Sequence, residues 1–152
     1  MKARNQAPKQ QARAAARLAA VQALYQHEME ATPLARLLDE FHQHRFGMEI
    51  DEAVYAAADT AFFDDLVSGT LARRDEIDRL LAGKLAEGWK LERLDKTMLQ
   101  ILRAGAYELL ARADVPTGSV IGEYIDVAHA FFDPREAKFV NGVLDAVAKD
   151  VR

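Results

Sequence analysis

Apolar residues recur at helical spacing along almost the whole chain, and this pattern constrains the fold more than any other feature. Side chains three and four positions apart share one face of an α-helix, whereas the alternation typical of strands is nearly absent. Four prolines, at positions 8, 33, 116 and 134, divide the 152 residues into segments, because proline is poorly tolerated inside a helix. The sequence therefore predicts an all-α fold, a single-domain bundle of six or seven helices.

The helical segments are predicted at about 10–30, 34–46, 57–86, 95–112 and 118–131 and from Pro134 onward. The segment 95–112 is apolar on most of its circumference, which indicates a place at the centre of the bundle. Gly105 within it costs about 1 kcal/mol relative to alanine, so we expect a close helix crossing there. The long segment 57–86 is expected to break near Gly69 or Arg74.

Three further features are predicted between the helices and at the start of the last one. Residues 47–56 form an irregular connector, and residues 87–94 form a loop in which Trp89 is a buried aromatic anchor. The last helix carries the clearest start signal, since a capping residue, a proline at the first helical position and an acid three residues after the cap form a capping box. These residues are Asp133, Pro134 and Glu136.

Composition excludes several classes of protein. The chain has no cysteine, which excludes disulfides and thiolate metal sites and fits a reducing compartment. No apolar run approaches the roughly 18 residues that span a bilayer, and the basic N-terminal segment lacks the apolar core of a secretory signal. We therefore expect a cytoplasmic protein that makes no membrane contact.

Catalytic residues are not apparent. His42 and His44 would project about 200° apart on a helix, which does not suit a shared metal ion, so surface histidines are the plainer interpretation. Adjacent acids such as Asp64 and Asp65 are better explained as a solvated face, and no nucleophile elbow or phosphate-binding glycine loop is present. The sequence indicates a protein that is not an enzyme and that has no cofactor, metal or catalytic residue.

Charge is distributed unevenly along the chain. The net charge is −4, yet the first seventeen residues hold five basic and no acidic side chains, and the first acid is Glu28. A cationic end on an acidic body suggests a polyanion bound at one place, although a solubilising basic tail explains the charge equally well.

Two groups of residues are candidates for nucleic-acid contact. On the first helix Lys9, Arg13 and Arg17 share one face at four-residue spacing and can neutralise phosphates. Tyr25 either stacks on a base or lies in the core, and the pattern favours the core.

The second group lies at the start of the last helix. Arg135 and Lys138 stand in its first turn beside Phe139, and an aromatic ring next to a basic side chain is typical of single-stranded RNA readers. Core packing of Phe139 is nearly as consistent with the pattern.

Several motifs in register resemble the NusB family over nearly the whole chain. They are VQALY at 21–25, FDDLVSG at 63–69, ILRAGAYEL at 101–109, DVP at 114–116 and KFVNGVLD at 138–145. The resemblance implies a NusB-like helical bundle that acts in transcription antitermination on ribosomal RNA operons. It also implies binding of single-stranded boxA RNA together with NusE, a small-subunit ribosomal protein, and an indirect association with the RNA polymerase elongation complex.

The resemblance further implies which residues contact RNA and how the chain is divided. Arg13, Arg17 and Lys138 map to phosphate contacts, and Tyr25 and Phe139 map to stacking or packing groups. Residues 1–11 lack a counterpart and are expected to be a disordered basic extension, followed by an RNA-binding domain at 12–152.

Two other hypotheses are open at this point. Ribosomal RNA cytosine methyltransferases carry a module of this fold ahead of a cofactor domain, which we do not expect here because the sequence reaches only position 152. The chain is otherwise a protein-interaction bundle or homodimer without specific RNA recognition.

Overall fold

The computed structural model describes residues 2–43 and 59–152, with side chains from residue 9 onward. Within these residues it has seven α-helices and no strand, so the predicted all-α class and helix number are confirmed. A short 3₁₀ turn at Leu91–Arg93 precedes the fifth helix. The helices are α1 (Lys2–Glu30), α2 (Leu34–Phe41), α3 (Thr60–Ala72), α4 (Arg74–Ala82), α5 (Lys96–Ala111), α6 (Thr117–Phe131) and α7 (Pro134–Val151).

Helix bounds differ from the predicted ones mainly in the first half of the chain. The structure begins α1 at Lys2 rather than near residue 10, and the division into a disordered extension and a domain at 12–152 stays a prediction. The helix ends where Ala31 adopts a left-handed conformation, with φ of 54°, and its amide donates to the His27 carbonyl. The predicted connector at 47–56 lies outside the described residues.

The chain forms two compact units, residues 1–68 and 69–152. In the first unit, α1 contributes mainly small side chains, which allow close packing, while α2 and the start of α3 contribute large ones. The Phe41 and Phe63 rings stack with centroids 5.5 Å apart. Buried apolar residues of this unit include Ala16, Ala20, Val21, Leu24, Leu37, Phe41, Phe62, Phe63 and Leu66.

The second unit is organised around α5. Residues 98–109 of this helix are all buried, as its apolar circumference predicted, and α4, α6 and α7 pack against it. Two of its buried charged side chains are paired: Arg103 donates to both carboxylate oxygens of Asp78 at 2.8 Å, and Glu108 accepts from the Tyr124 hydroxyl at 2.9 Å. Such pairing offsets the cost of removing charged groups from water.

Two glycines mark close helix approaches in the second unit. A Cβ atom on Gly105 would lie 2.8 Å from Leu144 Cδ1, which confirms the predicted crossing. A Cβ atom on Gly69 would lie 2.1 Å from Tyr107 Cζ. In both places only the absence of a side chain allows the contact.

The predicted break in the long third segment occurs at Arg73, between α3 and α4. Arg73 leaves helical geometry, with φ −107° and ψ 19°, and its guanidinium donates to Glu76 at 2.8 and 3.0 Å. This hydrogen bond is the main cause that holds the pKa of Glu76 below its usual value. The ion pair therefore holds Arg73, at the break, against the first turn of α4.

The N-terminal ends of two helices differ in how they are capped, and one of them corrects a prediction. Pro134 is the first residue of α7 as expected, but the Asp133 side chain makes no capping hydrogen bond, so the predicted capping box does not form. The amides of Glu136 and Ala137 donate instead to the Asp133 carbonyl. By contrast, the Asp95 carboxylate caps α5 by accepting from the amides two and three residues later, at 2.8 and 3.2 Å.

Candidate nucleic-acid interface

The predicted cations of α1 differ in their exposure. Lys9 is exposed and Arg13 is half-buried, with its Nε 3.7 Å from the Asp59 carboxylate. Arg17 is only 3% exposed. The helix therefore offers Lys9 and part of Arg13 to a ligand, whereas most of Arg17 belongs to the interior of the first unit.

Phe62 explains how two arginines are held close together. Its ring centroid lies 4.6 Å from the guanidinium carbon of Arg13 and 5.0 Å from that of Arg17. A cation over an aromatic face is attracted by the ring quadrupole, more strongly where water is excluded. Phe62 thus fixes both side chains on one part of α1 and α3.

Tyr25 lies at the surface rather than in the core that the pattern favoured. The side chain is 40% exposed, and Met29, one turn further along α1, is 55% exposed. That preference was wrong because the alanines and Leu24 already fill the face of α1 that packs inward. The predicted RNA contact of Tyr25 stays a prediction.

The start of α7 presents cations beside aromatic rings. Arg135 and Lys138 are exposed and Phe139 is half-buried. The Phe139 ring lies 6.1 Å from the Trp89 ring, with 31° between their planes. Trp89 was predicted to be a buried anchor, but the structure shows it 59% exposed. The turn at Gly88, with φ of 88°, places the indole against Phe139 at the surface.

A surface cavity of about 410 Å³ opens beside these rings, entirely within the second unit. Trp89, Phe132 and Phe139 give it aromatic walls, and its charged lining consists of two arginines and two acids, Arg93, Arg135, Asp95 and Glu136. Sequence reasoning missed Trp89 and Arg93 as members of this site. A tryptophan in a segment rich in charged residues was the available signal, because tryptophan often marks binding surfaces.

The described residues do not suggest a metal site. They contain no group of three histidine or acidic side chains placed to hold a metal ion. His42 lies at the surface as predicted, with its side chain 38% exposed and its Nε2 2.6 Å from the Asp64 carboxylate, while His44 lies outside the described residues. No helix among the described residues combines the length and apolar character that crossing a bilayer requires.

Similar proteins point to one family. The NusB family model matches residues 14–149. A transcription antitermination protein NusB from Novosphingobium aromaticivorans is 75% identical over 141 residues, which cover 93% of this chain and 95% of that protein. The Caulobacter vibrioides protein of the same name is 49% identical over 142 residues, again 93% of this chain and 95% of that one.

Solved structures agree with this result. NusB of T. maritima superimposes with a TM-score of 0.68 at 31% identity, covering 89% of each chain. A structure of antitermination factors NusB and NusE in complex with dsRNA superimposes with a TM-score of 0.75 at 25% identity, covering 90% of this chain and 96% of that one. The relatives are named as antitermination proteins and not as enzymes, which confirms the non-enzyme interpretation. The chain belongs to the NusB family.

Proposed function

We propose that the chain is a cytoplasmic transcription antitermination factor that binds RNA and works by contact rather than catalysis. Its target is the single-stranded boxA element of ribosomal RNA operon transcripts, which it binds together with NusE. Through that complex it joins the RNA polymerase elongation complex indirectly. Family membership supports the antitermination role, and the solved complex of a related NusB with NusE and dsRNA supports the binding of RNA and of NusE.

The observation that carries the proposal is the surface at the start of α7. Two exposed cations, Arg135 and Lys138, stand beside the rings of Phe139 and Trp89. Cations hold the phosphates of an unpaired strand while its bases stack on aromatic side chains. A duplex hides its bases in the helix stack, so this surface favours single strands.

On α1 we propose that Lys9 and Arg13 contact phosphates and that Tyr25 offers a ring to a base. Arg17 contributes through the stack on Phe62, where its charge keeps the region positive although little of the side chain reaches water. Each of these contacts would strengthen binding without selecting a sequence.

A binding assay with three RNAs tests the proposal. Labelled boxA-like RNA, a scrambled strand of the same composition and a duplex of the boxA sequence are titrated with the protein, with and without NusE. We expect the boxA-like strand to bind tightest, and more tightly when NusE is present. Equal affinity for the boxA-like and scrambled strands in the presence of NusE would contradict the proposal.

A variant series links the binding to α7. The double substitution Arg135→Ala and Lys138→Ala should weaken binding of every RNA, since phosphate contacts are independent of sequence. Lys149→Ala is the matched control, because that lysine lies on the same helix with a side chain that is 78% exposed. If both variants bind RNA as the unsubstituted protein does, α7 is not the contact surface.

The homodimer alternative has its own measurement. Light scattering of the free protein and of the mixture with NusE gives the stoichiometry of each. A heterodimer in the mixture supports the proposed function, whereas a homodimer that persists and excludes NusE favours the interaction-bundle hypothesis.

A further inference from the structure

We propose that the cavity beside Trp89 and Phe139 receives one unpaired nucleobase and that the Glu136 carboxylate reads its edge, with guanine as the preferred base. The inference rests on the proposed RNA-binding function and adds the identity of the base at one subsite. It depends on three observations in the second unit: an open aromatic face, a carboxylate oxygen without a partner, and flanking cations.

The aromatic face belongs to Trp89. The indole is 59% exposed although it lines the cavity, and Phe139 supports it with centroids 6.1 Å apart. A flat ring inserted between them would need about 7–8 Å, twice the usual carbon contact distance. The base therefore stacks on the open side of the indole, with Phe139 behind it.

The carboxylate is that of Glu136, which also lines the cavity. Its Oε2 atom is buried and has no hydrogen-bond partner among the described residues. A buried polar atom left without a partner costs free energy, and a carboxylate can only accept. An N–H donor is thus what this oxygen lacks, and a base edge reaches it when the carboxylate turns from its buried position toward the cavity.

The choice of base follows from the donors on each edge. Guanine carries two neighbouring N–H donors, at N1 and N2, which match the two oxygens of a carboxylate. Adenine and cytosine offer one amino group, and uracil offers one N–H between two carbonyl oxygens. A bidentate contact discriminates between bases more strongly than a single hydrogen bond, so guanine ranks first and uracil last.

The flanking charges favour a nucleotide over an apolar side chain of a protein. Arg93 and Arg135 line the same cavity together with the carboxylates of Asp95 and Glu136, so a phosphate on either side of the base has a guanidinium to pair with. The Asp95 carboxylate already accepts from two amides in the first turn of α5, and Glu136 is the proposed base contact. The volume of about 410 Å³ lies in the range of sites for small ligands.

The experiment uses Trp89 as its own reporter, since the chain has a single tryptophan. Short oligouridines carrying guanosine, inosine or uridine at the central position are titrated into the full-length protein while indole fluorescence is recorded. A base that stacks on the indole should quench it. We expect guanosine to bind at least about fivefold more tightly than uridine, and inosine, which lacks the N2 amine, to fall between them.

Glu136→Gln keeps the shape but turns one acceptor into a donor, so the preference for guanosine should disappear. Asp126→Asn is the control, because it removes one negative charge at an exposed position on α6 outside the cavity. The inosine series tests the same contact without changing the protein, so a folding defect in the Glu136 variant leaves the inference testable.

Anisotropy of labelled RNA, measured in parallel, separates this inference from the proposed function. RNA binding without quenching, or with equal quenching and affinity for all three bases, overturns the base pocket but leaves the proposed function standing. Failure to bind any RNA, with or without NusE, overturns both. A fluorescence change caused by NusE without RNA would show that the cavity docks protein, which also overturns the inference.

Discussion

Arg17 shows how a charged residue on a helix face can serve the fold. By spacing it continues the row of Lys9 and Arg13, and spacing does not distinguish a surface cation from a buried one. In the structure its guanidinium lies over Phe62 and only 3% of the residue is exposed. Its long apolar stem is buried as well, so truncation would remove packing together with charge.

We therefore expect Arg17→Ala to lower the free energy of unfolding by about 1–2 kcal/mol. Urea denaturation followed by circular dichroism measures this change. Arg36→Ala on α2 is the control, since that arginine pairs with Glu40 at an exposed site and its loss should stay within about 0.5 kcal/mol. Unchanged stability with weakened RNA binding would instead identify Arg17 as a direct phosphate contact.

At the scale of helices, the approach of Gly69 to Tyr107 within the second unit depends on a position without a side chain. Gly69 lies in the last turns of α3, where a Cβ atom would meet the Tyr107 ring at 2.1 Å. Tyr107 is itself buried, so its ring has little room to move. The helix tolerates the low propensity of glycine because the close approach requires it.

Gly69→Ala should consequently destabilise the protein by about 1–3 kcal/mol, the usual cost of overpacking. Gly142→Ala is the matched control, since Gly142 also lies inside a helix but an added Cβ atom meets nothing within 4 Å. That variant should gain up to about 1 kcal/mol through helix propensity. Thermal denaturation of both variants measures whether their melting temperatures shift in opposite directions. Equal shifts would mean that the Tyr107 ring moves aside at little cost in free energy.

Local periodicity predicted much of this level of structure. It predicted a break near Gly69 or Arg74, which the structure has at Arg73, together with the close crossing at Gly105 and the central position of α5. Each of these depends on residues near one another in sequence. It did not predict the pairing of Arg103 with Asp78, which lie 25 positions apart. A helical pattern carries no information about which distant residue a buried charge will meet.

The candidate site was predicted less completely than the fold. Arg135, Lys138 and Phe139 were found from their order in the sequence, whereas the exposure of Trp89 was not. Whether a tryptophan is buried or exposed depends on whether other side chains already fill the core, which is a property of the whole unit.

For the whole molecule, the uneven charge governs how RNA binding responds to salt. The cationic first seventeen residues belong to a chain of net charge −4, so contact with a polyanion must be confined to parts of the surface. The predicted contact cations other than Arg17 are Lys9, Arg13, Arg135 and Lys138.

Four phosphate contacts to single-stranded RNA predict a slope of about −2.8 in log affinity against log salt, and a fifth contact from Arg17 would make it about −3.5. Titrations at several salt concentrations measure the slope, and Arg135→Ala should reduce its magnitude by about 0.7. Lys149→Ala should leave it unchanged. Affinity that does not depend on salt would contradict phosphate contacts altogether.

The buried polar pairs of α5 determine how the helix is rotated about its own axis. A helix with hydrocarbon on nearly every side could turn by one residue, about 100°, and still offer apolar surface to each neighbour. Arg103 meets Asp78 and Glu108 meets Tyr124 at one angle only. These two pairs therefore fix the rotation of α5 about its own axis. Apolar replacements at both would leave the unit compact, but α5 would adopt more than one rotation about that axis.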